Sequence, residues 1–412
     1  MRLSVHGVVA ALVFASAGLV ACGHANAAAD ADAPALAGIH RVAEFKNLFE
    51  FDQARGSAPH SAPVRVSRRD SEVYWGVTRD GGAYGTGALY QLSLAGQMTL
   101  VHSFIQDGQD GFWPEASLTR ASDGSLWGTT VGGGRHYGGT IFRISRAGVY
   151  SVVHSFGDAT NDGRYGSSAL VEAPDGSMFG TTAFGGQYGQ GTIYRITPDG
   201  TYSVAYALKG LDGTAPQFGL VRARDGNFYG GTNVGGEHGN GTLFRFERSG
   251  RFTRLVSLQG PTTGVYPSRL VEGPDGLLYG AMASSGPAYG GALFRMTLNG
   301  DITLMHLFAP TTLESHWPTG LIFASDGNFY GTNAGYNVNA GALFKMSITG
   351  HVTILHSFSP ASPYFPMDGG TPVSPPVEVH RGLLVGTTSV GGSSPGHGAV
   401  YSYTLAPHHW PR

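Results

Sequence analysis

Six aromatic residues recur just before short β-prone runs: Trp113, Tyr165, Phe218, Tyr266, Trp317 and Phe365. Each is followed by Pro or Gly. Rigid rings held at a repeated station can stack on sugars or grip a peptide. The plainer reading, which the repeat favours, is bulk that plugs the junctions between repeats. Four histidines, His136, His238, His316 and His397, lie in long loops at different frame positions and could offer imidazoles to a metal. No spacing fixes them into a ligand set, so neither a metal nor a cofactor is expected. Asp107, Asp110, Asp158, Asn161 and Asp162 resemble calcium-loop residues in type, but their spacing suits turns better. No nucleophile elbow, phosphate-binding loop or paired-histidine metal motif is present, and no catalytic residue stands out.

A further set follows from counting. Eight residues before a recurring glycine stand Arg68, Arg120, Glu172, Arg222, Glu272, Phe323 and Glu378. The signs nearly alternate. This suggests ion pairs between neighbouring units around a central channel, with Glu378 meeting Arg68 where the ring closes. A charged channel for a polar ligand is the functional alternative.

The glycine that sets this count is the anchor of a repeat. It falls at Gly76, Gly128, Gly180, Gly230, Gly280, Gly331 and Gly386, at intervals of 50 to 55 residues. Such units cannot bury a core alone and must pack on one another. In the unit ending at Leu208, a β-prone run at residues 170–173 meets the turn Pro174-Asp175-Gly176. A strand at residues 178–182 and a Gly-rich loop follow. Another strand at 192–196, a second turn and an alternating strand at 201–208 complete it. His102, His154 and His356 recur in frame in the last strand of their units, which marks them as packing residues.

Four-stranded antiparallel units repeated seven times predict an all-β, seven-bladed β-propeller. The last unit stops after its third strand. The segment FKNLFEF, residues 45–51, matches the missing fourth, so the N-terminal strand completes the last blade and closes the ring. Short turns then share one face, and the long second-to-third loops and interblade connections share the other.

The motif DG-x-[LF]-[YF]-GTT-xx-GG-xx-G-x-GT-x-[FY]-R resembles the GloVer tandem repeat of exported bacterial proteins over roughly residues 44–405. The resemblance implies the propeller fold and export, but no generally established activity. A C-terminal surface anchor, frequent in such proteins, is not expected from the ending APHHWPR.

Residues 1–21 read as a signal peptide, with an apolar run from Val8 to Val20 too short to span a bilayer. Leu19-Val20-Ala21-Cys22 resembles a lipobox and makes the only cysteine a lipidation site; cleavage after Ala27 is the alternative. Residues 22–43 read as a flexible tether, 44–406 as the propeller and 407–412 as a tail. The protein would then be an outer-membrane lipoprotein or a periplasmic or extracellular protein, touching a membrane only through the lipid. Net charge is −2 and charged residues are 13%, which excludes a basic nucleic-acid-binding surface.

Two functions stay open. One is a monomeric binding or scaffold module that takes a glycan, peptide or envelope partner on the long-loop face. The other is a polysaccharide-active enzyme, a lyase or glycosidase, with its site at the same mouth. The long-loop face is richer in glycine and aromatics than in acids, which favours binding.

Overall fold

The computed structural model describes residues 43–406 except 69–70, 261, 286–289, 310–315, 336–339, 359–367 and 393–395. The signal peptide, Cys22, Phe365, the tail and nearly all of the tether therefore lie outside the described residues, as does the side chain of Arg68.

Seven four-stranded antiparallel sheets follow one another along the chain. The third blade is typical, with strands Val171–Glu172, Met178–Thr182, Thr192–Ile196 and Tyr202–Ala207 in sequential order. Its two middle strands are buried, apart from a half-buried Arg195, and the fourth is largely half-exposed. The Asp-Gly turns close in one way: Asp123, Asp175, Asp225, Asp275 and Asp326 each accept a hydrogen bond from the backbone N–H two residues on. The fifth blade shows why first strands are short. Val265–Pro267 and Val271–Glu272 both pair with Leu278–Ser284, so the first strand is broken in two. The sixth blade runs it unbroken as Pro318–Phe323.

The ring closes as the strand count predicts. Glu44–Glu50 pairs antiparallel with Ala399–Thr404, joining the strands Val377–His380 and Leu383–Thr388. A detail identifies it as the missing fourth strand. In the other six blades the third-to-fourth pairing shifts at one frame position, for example between Ile141 and Phe142. The N-terminal strand shifts at the same place, opposite Val400 and Tyr401, which leaves Leu48 as the bulged residue.

Fourth strands are also zipped sideways. His102 stacks on Tyr150 at 4.0 Å, His154 on Tyr202 at 3.7 Å and Tyr206 on Phe252 at 4.6 Å, each pair spanning two blades. Phe45 of the N-terminal strand stacks on His356 at 3.8 Å in the same manner. The imidazoles are held by aspartates of the interblade connections: His102 by Asp110 (2.8 Å), His154 by Asp162 (3.0 Å) and His356 by Asp368 (2.6 Å). Asp110 also accepts from the Tyr150 hydroxyl. These histidines are thus packing residues, and Asp110 and Asp162 do more than shape turns.

The alternating Arg–Glu ring takes a different form. Arg120, Arg222 and the glutamates are not paired with one another among the described residues. Each glutamate instead reaches the blade before it and accepts from the backbone. Glu172 takes Ser122 N–H (2.9 Å) and Oγ (2.7 Å). Glu272 takes Arg224 N–H (3.0 Å), and Glu378 takes Ser325 N–H and Oγ (both 2.7 Å). A fixed backbone donor costs no side-chain entropy, whereas a long arginine must be ordered to compete. Counting also misplaces the first blade. Its first hairpin pairs three residues further, to Arg68 and Ser71, and Val64 and Arg65 pair with Trp75 and Tyr74, so Arg65 rather than Arg68 stands in the Glu172 register.

At the closing junction Glu72 does the glutamates' job. It pairs with Arg65 in its own blade and with His380 of the last blade at 2.6 Å. His380 lies two residues beyond Glu378, as Ser122 lies two beyond Arg120. Burial pushes the Glu72 carboxyl up, but hydrogen bonds from Arg65 and His380 outweigh that and hold it below its ordinary value.

Because Glu378 also accepts Gly382 N–H at 2.8 Å, it satisfies one more backbone donor than Glu172. Glu378→Ala should therefore destabilise at least as much as Glu172→Ala, each by about 1.5–3 kcal/mol, the range for hydrogen bonds to a charged group. Denaturant midpoints of the two variants check this; a clearly larger loss at Glu172 would refute it.

Candidate functional site

The long loops meet at one backbone station. Seven non-glycine residues with left-handed φ, one per interblade connection, occupy it: Ala58, Trp113, Tyr165, Ala215, Tyr266, Trp317 and Thr371, with φ between 50° and 60°. This conformation is costly for a bulky side chain. The hydrogen bonds explain why it persists. Trp113 N–H donates to Thr86 O of the preceding blade (3.0 Å), and its own carbonyl accepts from Val131 N–H (3.1 Å). Ala58, Tyr165, Ala215, Trp317 and Thr371 are stitched in the same way, to His397, Gly138, Gln190, Gly290 and Ala340 on the preceding side. The following residue is Pro except after Tyr165. Pro114, Pro216, Pro318, Pro372 and Pro59 each press on a glycine that opens the preceding blade's third strand.

Four of the six expected aromatics therefore share one station. Trp113, Tyr165 and Trp317 are half-buried there and Tyr266 is exposed. Phe218 does not join them. It lies three residues past Ala215 and is buried. Connections of unequal length hid this shift. In the last connection the station is Thr371, and Phe365 lies outside the described residues.

Beside Trp113 the repeat is broken by charge. Three residues past the anchor glycine, the blades carry Arg79, Val131, Ala183, Asn233, Ala283, Ala334 and Ser389. Arg79 alone is charged. Its Nε donates to Glu115 Oε1 at 2.8 Å, its Nη1 to Asp80 at 3.3 Å, and its guanidinium sits 5.3 Å from the Trp113 ring centre. Glu115 is only 5% exposed. Burial raises the Asp80 carboxyl despite Arg79. Burial, with the Arg79 charge adding to it, lowers the nearby His60 imidazole to about 3, so it stays neutral at physiological pH. A second polar couple, Gln217 accepting from Asn233 Nδ2 at 2.6 Å, stands in the fourth blade.

The loop histidines do not converge. His136 lies 3.3 Å from Asp158, His238 bonds Gln259 at 3.1 Å, and His397 bonds Ser57 at 3.0 Å across the closure. Among the described residues no three His, Cys, Asp or Glu side chains gather as metal ligands would. Asp107 caps its own turn by accepting from Gln109 and Asp110 N–H. No helix among the described residues is long and apolar enough to cross a membrane.

Arg79, Glu115 and His60 escape a reading that looks for recurrence. Their signal is the opposite one, departure from the repeat at stations where the other blades are uncharged.

Among known proteins, the Gloeobacter/Verrucomicrobia repeat model matches residues 23–174 and 166–401. No curated protein matches. Solved structures share the fold. Virginiamycin B lyase from Staphylococcus aureus superposes with a TM-score of 0.57 at 17% identity, over 88% of this chain and 99% of that one. A streptogramin B lyase gives 0.58 at 14%, over 88% and 98%. The extracellular domain of a putative one-component system from B. thetaiotaomicron gives 0.56 at 13%, over 90% of this chain and 43% of that one. At these identities the likeness is one of fold.

Proposed function

The chain belongs to the Gloeobacter/Verrucomicrobia repeat family, and from that premise we propose that it is an exported cell-envelope propeller that binds a glycan, peptide or envelope partner on its long-loop face. Its membrane contact is a lipid on Cys22. One observation carries the binding reading. Alanine suffices at the left-handed station in two blades, yet four blades place Trp or Tyr there. Bulk in a strained conformation, where a small side chain would serve, is a feature of ligand sites. Backbone bonds on both sides of Trp113, Tyr165 and Trp317 hold the backbone that carries these rings before any ligand arrives, which lowers the entropic cost of binding.

Trp113→Ala and Trp317→Ala should each weaken binding by about 1–3 kcal/mol, as loss of an aromatic anchor does. Ala58 and Ala215 show that the station tolerates alanine, so the fold should survive. Glycan-array screening of the mature protein followed by titration calorimetry reads the effect. Unchanged affinity in both variants, with thermal midpoints intact, would leave the rings a purely structural role.

The second reading, polysaccharide cleavage, is favoured by the charged sector alone. A buried Glu115 and a neutral His60, each interacting with Arg79 at a propeller mouth, are candidate acid and base groups. Release of new chain ends from a soluble polysaccharide by the wild type but not by Glu115→Gln would establish it.

A further inference from the structure

A second set of aromatic rings lies on the same face, at the tips of the second-to-third loops. Tyr84, Tyr137 and Tyr188 are 58%, 57% and 49% exposed, among the most exposed large apolar side chains described. They stand at the loop tips of three consecutive blades: Tyr84 and Tyr188 share one position, whereas Tyr137 sits one residue later, where those tips have Gly85 and Gly189, and His136 holds the position of Tyr84. Each tip is a tight turn closed by a backbone bond, Gly85 N–H to Gly82, Tyr137 N–H to Gly134 and Gly189 N–H to Gly186. Among the described residues none of the three rings contacts another ring and none of the three hydroxyls is hydrogen-bonded. In the fourth blade His238 takes the place.

We propose that Tyr84, Tyr137 and Tyr188 form a rim subsite for an extended, uncharged polysaccharide that runs across the first three blades. The inference rests on the loop face being the binding face and names the ligand class. Three features argue for this occupant. Rings repeated once per blade match a ligand that itself repeats, and three separate stations exceed what one small molecule covers. A phenol presents a flat apolar face for sugar C–H groups and a hydroxyl for theirs. Apart from the tyrosines the tips are built of Gly, Ala, Thr and Gln with Arg135 and His136, and Asp158 answers both of these, at 3.8 Å and 3.3 Å, so no net charge selects an ionic polymer. A peptide adding as a strand needs a free sheet edge, and these tips are turns.

The test is affinity electrophoresis of the mature protein in native gels. The gels contain hydroxyethylcellulose, arabinoxylan or galactomannan as neutral probes, and alginate or polygalacturonate as anionic ones. At least one neutral polymer should retard the protein. Each of Tyr84→Ala, Tyr137→Ala and Tyr188→Ala should weaken that interaction roughly 3- to 10-fold and the triple variant more than about 10-fold. Thermal midpoints should stay unchanged, because all three side chains are exposed. Oligosaccharides of six or more units should compete where a disaccharide does not. Retardation by anionic polymers alone, or a triple variant that binds like wild type, would overturn the inference. If binding then falls in Trp113→Ala but not in the tyrosine variants, the loop face is still the binding face and the rim is not part of it. If no polymer of either charge binds, the glycan class fails for the whole face.

Discussion

A chain that begins at Asp52 should fail to give a soluble, cooperatively folding monomer. It loses Glu44–Glu50, the fourth strand of the last blade, and leaves the backbone edge of Ala399–Thr404 open. An open edge is a template for association. The side chains matter as much. Phe51 is fully buried, and Phe45, Leu48 and Phe49 pack against the core clusters on either side of the closure. At about 1.5–3 kcal/mol per fully buried side chain, and roughly half that for the others, the loss is on the order of 4–7 kcal/mol. Whole domains are stable by only about 5–15 kcal/mol. The rings left behind add to the damage, since Phe45 covers His356, Phe358 and Tyr401. A rescue separates closure from mere shortening. Phe45 pairs with Tyr403 as Tyr150 pairs with Ile144, so a permutant that carries residues 44–51 after Leu405 through a two-residue linker, making Thr404 to Glu44 a five-residue turn like residues 145–149, restores the same hairpin. Size-exclusion chromatography and thermal melts should show the permutant monomeric and folded where the truncation is not. A truncated chain that melts like the intact protein would mean that the N-terminal strand does not hold the ring.

How far the sequence could be read depends on whether a feature recurs. The strands, turns and closing strand are legible because each is written several times, and a fourth-strand pattern found out of place at residues 45–51 has one place to go. Side-chain partners are less legible. The ring of Arg and Glu is countable, but counting assumes hairpins of equal length, and the longer paired strands of the first blade's first hairpin move the register from Arg68 to Arg65. Nor can charge pattern reveal that a backbone N–H competes better for Glu172 than Arg120 does. The aromatic station was half legible for a similar reason. Trp-Pro and Tyr-Pro announce it, but Ala58, Ala215 and Thr371 hold the same left-handed backbone with no aromatic to mark them. Single departures such as Arg79 and Glu115 carry no repeat signal at all. They become visible only when the fold shows which positions are equivalent.

The anchor glycine is the case where fold and sequence meet, and it supports the second large effect: Gly180→Ala should cost about 3 kcal/mol, the upper part of the range for overpacked cores. In all seven blades the anchor pairs directly across to the third-strand aromatic: Gly76 with Tyr90, Gly128 with Phe142, Gly180 with Tyr194, and so on to Gly386 with Tyr401. None of the anchors has a left-handed backbone. Conformational freedom therefore does not explain them, and alanine would meet no φ penalty. The reason is the ring lying across the strand. A Cβ on Gly180 would overlap the Tyr194 hydroxyl and stand 2.5 Å from its Cζ, with both residues buried. In the fourth blade the ring is Phe244, and a Cβ on Gly230 would meet its Cζ at 2.8 Å. Gly230→Ala should accordingly cost less, about 1 kcal/mol, because a few tenths of an ångström of ring movement relieve it. The Tyr194 hydroxyl is itself buried and has no hydrogen-bond partner among the described residues. Tyr194→Phe should thus be neutral or stabilising by about 1 kcal/mol, and in the double variant it should recover part of the Gly180→Ala loss. Chemical denaturation of the four variants completes the cycle. Equal losses at Gly180 and Gly230, or no coupling between Gly180 and Tyr194, would mean that the aromatic ring is not what reserves the anchor position for glycine.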